Sequence, residues 1–187
     1  MKGLKQNLKE RIAYLRILSG EPEAFGFFYD QYAEKIYKYI VFKVSNRELA
    51  EDLTHEVFLL TWQHIIEDKS IGNLRAYLYR IAHNKVVDHY RQKSRQTQLL
   101  TDDHPASEKT ATYDQGEIQI LKRHIQALKP EYQEVVVLRH IDGLSIEEIC
   151  TILQKDKNNI RVTLHRAMNK LKESYQGSLP EENDTQN

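Results

Sequence analysis

Residues 145–172 read SIEEICTILQKDKNNIRVTLHRAMNKLK and predict two helices joined by a tight turn. Ser145 and Glu148 have the spacing of a capping box, in which each side chain bonds the other's free backbone amide at the start of a helix. Asp156 can cap the second helix. Apolar residues at helical spacing predict the two buried faces. They are Ile146, Ile149, Cys150 and Leu153 in the first helix, and Ile160, Leu164, Ala167 and Leu171 in the second.

The outer face of the second predicted helix is basic. The side chains on this face and beside it are Lys157, Asn158, Arg161, His165, Arg166 and Lys170. A first helix that supports a second one with outward polar side chains is the design of a helix-turn-helix, whose second helix enters a DNA major groove. An ordinary helical hairpin with a solvated basic face is the alternative, and the motif alone does not decide between them.

Charge is balanced over the 187 residues, with 27 basic and 27 acidic side chains, but it is distributed unevenly. Residues 75–95 contain six basic residues and one acid, whereas residues 43–69 contain three basic residues and six acids. The neutral total therefore hides a basic segment that follows an acidic one.

The single cysteine excludes an intramolecular disulfide and indicates a reducing compartment. We find no apolar run of membrane-spanning length and no signal-peptide pattern. These features predict a cytoplasmic protein without membrane insertion.

The pattern predicts an all-α protein of two small helical domains joined by a flexible linker, with the helix-turn-helix in the second. We expect domains at residues 1–93 and 115–175. The polar segment 94–114, which contains Pro105, predicts the linker, and residues 176–187 predict a disordered tail. The β-prone run 135–138 lies in a helix-length segment, so we expect it to be helical.

Three longer helices are expected in the first domain. The first, within residues 22–44, has aromatic residues at helical spacing that predict a core. Ser45 and Glu48 suggest a second capping box at the start of a helix that ends near Ile66. Asn73 can cap a third helix, which we expect to end near Gln92.

Two polar stripes lie on the second and third of these helices. The stripe on the second is acidic, without an evident partner, and is either a solvated face or a docking face for a basic helix; it contains Asp52, His55, Glu56 and Gln63. The stripe on the third is mainly basic and contains Arg80, Asn84, Lys85, Asp88 and Arg91. Basic side chains neutralise phosphates, an amide can read base edges, and tyrosines can stack on unpaired bases. Tyr77, Tyr79 and Tyr90 are candidates for such stacking, although packing into the core is expected for at least one of them.

Enzymatic readings find little support. His83 and His89 lie six residues apart, on different faces of a helix, and Cys150 falls in a predicted hydrophobic stripe, so no metal site is expected. There is no glycine-rich phosphate loop and no convergent nucleophile and base. We therefore expect neither catalysis nor a cofactor.

Three segments taken together resemble the bacterial extracytoplasmic-function (ECF) sigma factors of the sigma-70 family. They are ELAEDLTHEVFLLTW (48–62), NLRAYLYRIAHNKVVDHYR (73–91) and the segment from Leu128 to Lys172, in the family's order and spacing. The resemblance covers residues 22–174. Its most specific elements are Asn84, Asp88 and Arg91 in one run and the Leu-His-Arg-Ala run at 164–167.

The resemblance implies a protein that binds core RNA polymerase and directs it to promoters. The polymerase-binding residues would be Asp52, His55, Glu56, Leu59 and Gln63, on the clamp coiled coil of the largest subunit. The residues at the −10 element would be Arg80, Asn84, Lys85, Asp88 and Arg91. Those at the −35 element would be Lys157, Asn158, Asn159, Arg161, Val162, His165, Arg166 and Lys170. The linker would follow the RNA exit channel, and an anti-sigma factor is a further expected partner.

The sequence departs from the family pattern at several positions. His55 replaces a common glutamine. Gln154 stands in the turn where glycine is common, and a non-glycine residue there can adopt a left-handed conformation at a modest cost. Asn158-Asn159 replaces a common Gly-Thr pair. Two other binding functions remain open: a dimeric helix-turn-helix regulator that acts without polymerase, and a polymerase-bound regulator that no longer initiates transcription.

Overall fold

The computed structural model describes residues 2–67, 70–99 and 117–176, and the described residues are almost entirely helical. The eight α-helices among them are α1 (Lys2–Leu18), α2 (Gly26–Val44), α3 (Arg47–Ile66), α4 (Leu74–Leu99), α5 (Glu117–Gln126), α6 (Pro130–Val136), α7 (Ile146–Leu153) and α8 (Lys157–Gln176). A 3-10 turn at Pro22–Phe25 precedes α2, and a π-helical turn at Val137–Ile141 follows α6. The all-α prediction is confirmed.

The described residues fall into two compact units, one within Met1–Thr110 and the other within Ala111–Asn187. The first unit extends further than the sequence predicts, because α4 continues to Leu99 instead of ending near Gln92. Residues 94–99 contain neither glycine nor proline, so nothing in them breaks the helix. The rest of the predicted linker lies outside the described residues. So does the predicted disordered tail, except Gln176, which is the last residue of α8.

The core of the first unit forms where α2, α3 and α4 pack against one another. Phe28 and Ile36 from α2, Val57 from α3 and Leu78 from α4 are all completely buried. The aromatic residues expected in the core mostly lie there, although Tyr29 stays exposed. The Tyr32 hydroxyl donates a hydrogen bond of 2.6 Å to Glu10 and so connects α2 to α1.

The start of α3 differs from the prediction. Asn46 is the N-cap, and its side chain accepts a hydrogen bond of 3.0 Å from the Leu49 amide. Ser45 instead ends α2 in the left-handed conformation, with φ of 54°. The predicted capping box of Ser45 and Glu48 was therefore wrong. Asn73 does cap α4, through a bond of 2.9 Å from the Ala76 amide.

In the second unit, α8 packs against α5, α6 and α7. The β-prone run 135–138 belongs to α6 and to the π-helical turn, which confirms that it is helical. Val135 and Leu138 in it are buried. One turn of it widens to the π form, with the Asp142 amide bonded to the Val137 carbonyl at 2.9 Å. Arg139 donates to the Leu144 carbonyl at 2.8 Å and secures the chain between this turn and α7.

The helix-turn-helix forms as predicted. Ser145 and Glu148 make a complete capping box at the start of α7, and Asp156 accepts a bond of 2.9 Å from the Asn159 amide at the start of α8. Ile149 and Ile160 are completely buried. Gln154 ends α7 in the left-handed conformation, with φ of 52°, and its amide bonds the Cys150 carbonyl.

The left-handed conformation of Gln154 predicts that glycine at this position stabilises the second unit. Gln154→Gly removes a Cβ clash and should stabilise the second unit by up to about 1 kcal/mol, net of the added freedom of the unfolded chain. Lys155→Gly at the next position, where φ is not positive, should destabilise it by a similar amount. Amide hydrogen exchange in α7 and α8 is the measurement. Slower exchange in Lys155→Gly than in Gln154→Gly would contradict the account of the turn.

Candidate nucleic-acid and protein interfaces

The predicted −35 residues share the exposed side of α8. Buried Ile160 and Ala167, with half-buried Leu164 and Leu171, hold the opposite side of the helix against the second unit. All eight predicted residues are exposed: Lys157, Asn158, Asn159, Arg161, Val162, His165, Arg166 and Lys170. Arg161 and His165 are one turn apart, so their side chains emerge from the same face.

The first residue of α8 has a partner that the sequence analysis missed. The Lys157 ammonium donates to the Glu147 carboxylate in the first turn of α7 and forms an ion pair with it. That hydrogen bond is the main cause that lowers the pKa of the Glu147 carboxyl, and the charge of Arg161 contributes. Glu147 and Lys157 are ten residues apart and lie in different helices, with the turn between them. Spacing within one helix could therefore not reveal the pair.

A second ion pair lies near the other end of α8. Lys170 and Glu173 are 2.7 Å apart, and both side chains are 63% exposed. The hydrogen bond to Glu173 raises the pKa of the Lys170 ammonium. This i,i+3 pair is of the kind that sequence spacing can predict. Because it is solvated, it holds Lys170 only weakly.

The predicted −10 residues follow one side of α4. Asn84, Asp88 and Arg91 are exposed, whereas Arg80 and Lys85 are half-buried. Lys85 forms an ion pair with Glu56 of α3, and the two side chains are 27% and 43% exposed. The expectation that Glu56 has no internal partner was therefore wrong. The spacing of residues within one helix does not show which residues of another helix they contact.

The three candidate tyrosines occupy different environments. Tyr79 is completely buried and packs edge-on against Tyr39, with ring centroids 5.6 Å apart, so it cannot stack on a base. Tyr77 stacks on His64 at 4.8 Å. Tyr90 donates a hydrogen bond of 2.6 Å to the Lys43 carbonyl, and burial raises the pKa of its hydroxyl. The expected packing of at least one tyrosine is confirmed.

An open groove between α3 and α4 brings together residues from two predicted sets. Gln63 comes from the polymerase set, and Asn84 and Lys85 come from the −10 set. The lining residues are Leu60, Gln63, His64, Glu67, Tyr77, Ile81, Asn84 and Lys85. The sequence stripes indicated the two helix faces but not that they meet.

Apart from the half-buried Glu56, the predicted polymerase set is exposed on the surface of α3. Asp52, His55 and Gln63 are exposed, and so is the apolar side chain of Leu59, at 55%. These residues follow one another at intervals of three and four, so they form one continuous surface.

Within residues 2–67, 70–99 and 117–176, no cluster of three or more His, Cys, Asp or Glu side chains has the arrangement of a metal site. In the same part of the chain, no helix combines the length and the apolar character needed to cross a bilayer.

Comparison with known proteins gives matches in both units. Residues 28–96 match the family model for sigma-70 region 2, and residues 118–171 match that for sigma-70 region 4. The chain is 30% identical to the RNA polymerase sigma factor YlaC of Bacillus subtilis over 82% of its own length and 93% of YlaC. It is 31% identical to the ECF RNA polymerase sigma factor BldN of Streptomyces coelicolor, over 83% of its length, and spans 62% of BldN.

A solved structure agrees in fold. The sigma factor RpoE of Bartonella quintana, in complex with the anti-sigma factor NepR, matches with a TM-score of 0.69 and 21% identity. The match covers 84% of this chain and 99% of RpoE.

Proposed function

The chain belongs to the ECF group of the sigma-70 family of RNA polymerase sigma factors, and we propose a division of its work between the two units. The protein binds core RNA polymerase and directs it to promoters. In the proposal, the first unit docks on the polymerase and opens the −10 element, whereas the second reads the −35 element. Binding and positioning carry this function, and no catalytic step is required of the chain.

The observation that carries the proposal for the second unit is the orientation of α8. Its buried residues fix the helix so that Asn158, Arg161 and His165 point to solvent at its N-terminal half. Recognition helices address base edges with this end. Arg166 and Lys170 lie further along the helix and are suited to phosphate contacts.

For the −10 element, the exposed side of α4 supplies the contacts. Asn84 would read or position an unpaired base beside the α3–α4 groove, and Arg80, Lys85 and Arg91 would bind phosphates. Asp88 would either orient Arg91 or accept a hydrogen bond from a cytosine amino group. Tyr77, on the wall of the groove, is the tyrosine best placed to face such a base.

The polymerase surface of the proposal is the exposed side of α3. Asp52, His55, Leu59 and Gln63 would meet the clamp coiled coil of the largest subunit, with Glu56 beside them. Acidic rim residues favour encounter with a basic partner. Leu59 would add an apolar contact, which is consistent with its exposure.

The proposed boundaries follow the family regions. A region 2-like domain would extend to the end of α4 near residue 99, and a region 4-like domain would occupy 115–175, with a linker between them. RpoE is bound to an anti-sigma factor in its structure, and we extend such a partner to this chain as part of the proposal. Because polymerase and promoter DNA are its partners, the proposed location is the cytoplasm. Family membership does not favour a helix-turn-helix regulator that acts without polymerase.

Reconstituted transcription tests the function as a whole. The purified protein is added to its cognate core polymerase and fragmented genomic DNA, and the 5′ ends of the transcripts are sequenced. We expect starts that require the added protein and share two upstream elements. Protein that binds core polymerase but yields no such starts would instead support a regulator that no longer initiates.

Reversal of the charge at Asp52 tests the polymerase surface. Asp52→Lys should weaken core-polymerase binding about fivefold or more, or about 1 kcal/mol, because it opposes encounter with a basic surface. Asp30→Lys is the matched control, since Asp30 is also exposed but lies on α2, outside the predicted polymerase set. Binding is measured by fluorescence anisotropy. Equal affinities for the two folded variants would remove Asp52 from the interface.

Two arginines of α8 should differ in their effects on DNA binding. Arg161→Ala should cost about 1–3 kcal/mol at preferred sequences and relax preference at one base position. Arg166→Ala should weaken binding to all sequences alike and reduce the slope of log affinity against log salt by about 0.9. The full-length protein is measured on a library of −35 sequences at several salt concentrations. A sequence preference that changes with Arg166→Ala but not with Arg161→Ala would reverse the assignments.

A further inference from the structure

The ion pair between Lys157 and Glu147 lies at the part of the second unit that approaches DNA. Lys157 is the first residue of α8, and Glu147 is the second residue of α7. The two side chains are 49% and 66% exposed, so the pair is solvated and can exchange partners. Glu147 belongs to none of the residue sets assigned above.

The Glu147 carboxylate lies among cations that the proposed function assigns to DNA. It accepts a hydrogen bond from Lys157, and Arg161 is near enough for its charge to act on it. A negative charge at this place opposes the approach of a phosphate backbone. It also offsets part of the charge of Lys157, because a paired ammonium attracts a phosphate less than a free one does.

We propose that Glu147 restrains DNA binding by occupying Lys157, so that α8 has one fewer cation available to phosphates of any sequence. The inference rests on the proposed function, in which α8 is the DNA-reading helix. The restraint acts on the electrostatic part of binding, which is independent of sequence. The affinity that remains then depends more on the base contacts of Arg161 and its neighbours, and on attachment to polymerase.

The proposal makes Glu147 a residue whose loss strengthens DNA binding. Glu147→Gln keeps the size of the side chain but removes its charge and releases Lys157. The full-length variant should bind non-specific duplex DNA roughly three- to tenfold more tightly at moderate salt. The slope of log affinity against log salt should steepen by about 0.9, which corresponds to one added phosphate contact.

Two further variants separate this effect from a general change in charge. Glu34→Gln breaks the exposed pair of Glu34 with Lys38 in α2 and alters the net charge equally, but it should leave both slope and affinity nearly unchanged. In a Lys157→Met background, Glu147→Gln should lose most of its effect on the slope. Circular dichroism verifies that each variant remains folded.

The measurement is fluorescence anisotropy on a non-promoter duplex over a range of salt concentrations. An unchanged slope in folded Glu147→Gln, or an equal rise in Glu34→Gln, would overturn the restraint. Persistence of the full effect without Lys157 would also overturn it. Reconstituted transcription by the wild-type protein distinguishes failure of this proposal from failure of the proposed function. If the wild type initiates transcription but the slope of Glu147→Gln is unchanged, only the role of Glu147 is refuted.

Discussion

The direction of α8 depends on how the chain turns between α7 and α8. The capping box at Ser145, the left-handed Gln154 and the cap at Asp156 define this turn within twelve residues. Beneath it, Ile149 and Ile160 are completely buried. Burial of one such side chain contributes about 1.5–3 kcal/mol, more than a solvated ion pair provides. The apolar contacts therefore fix the helix, and the polar residues are free to act on partners.

Local patterns in the sequence predicted three of the helix caps correctly. Ser145, Asp156 and Asn73 each accept a bond from the amide three residues later. Residues close in sequence are therefore enough to predict these caps. Ser45 shows the limit of such reasoning. It stands beside Asn46, and either residue could have capped α3; the left-handed end of α2 takes Ser45, which leaves Asn46 as the cap. Spacing along the sequence does not show which of two adjoining helices will use a given residue.

The candidate interfaces were predicted as stripes, but their internal contacts were not. Periodicity placed Asn84 and Arg161 on exposed faces correctly, since helix geometry fixes direction. The pairs of Lys85 with Glu56 and of Lys157 with Glu147 join different helices, and only packing brings their charges together. For the same reason the burial of Tyr79 and the groove between α3 and α4 emerge only in three dimensions.

The pair of Glu56 and Lys85 joins the two proposed surfaces of the first unit. Glu56 belongs to the predicted polymerase set and Lys85 to the predicted −10 set. A ligand that binds one member of the pair therefore changes what the other can bind. Such coupling is reciprocal in free energy. Suppose that polymerase binds Glu56, frees Lys85 for a phosphate and so raises the affinity for DNA by some factor. DNA that binds Lys85 must then raise the affinity for polymerase by the same factor. A single surface contact would thereby make promoter opening and retention of the sigma factor cooperative.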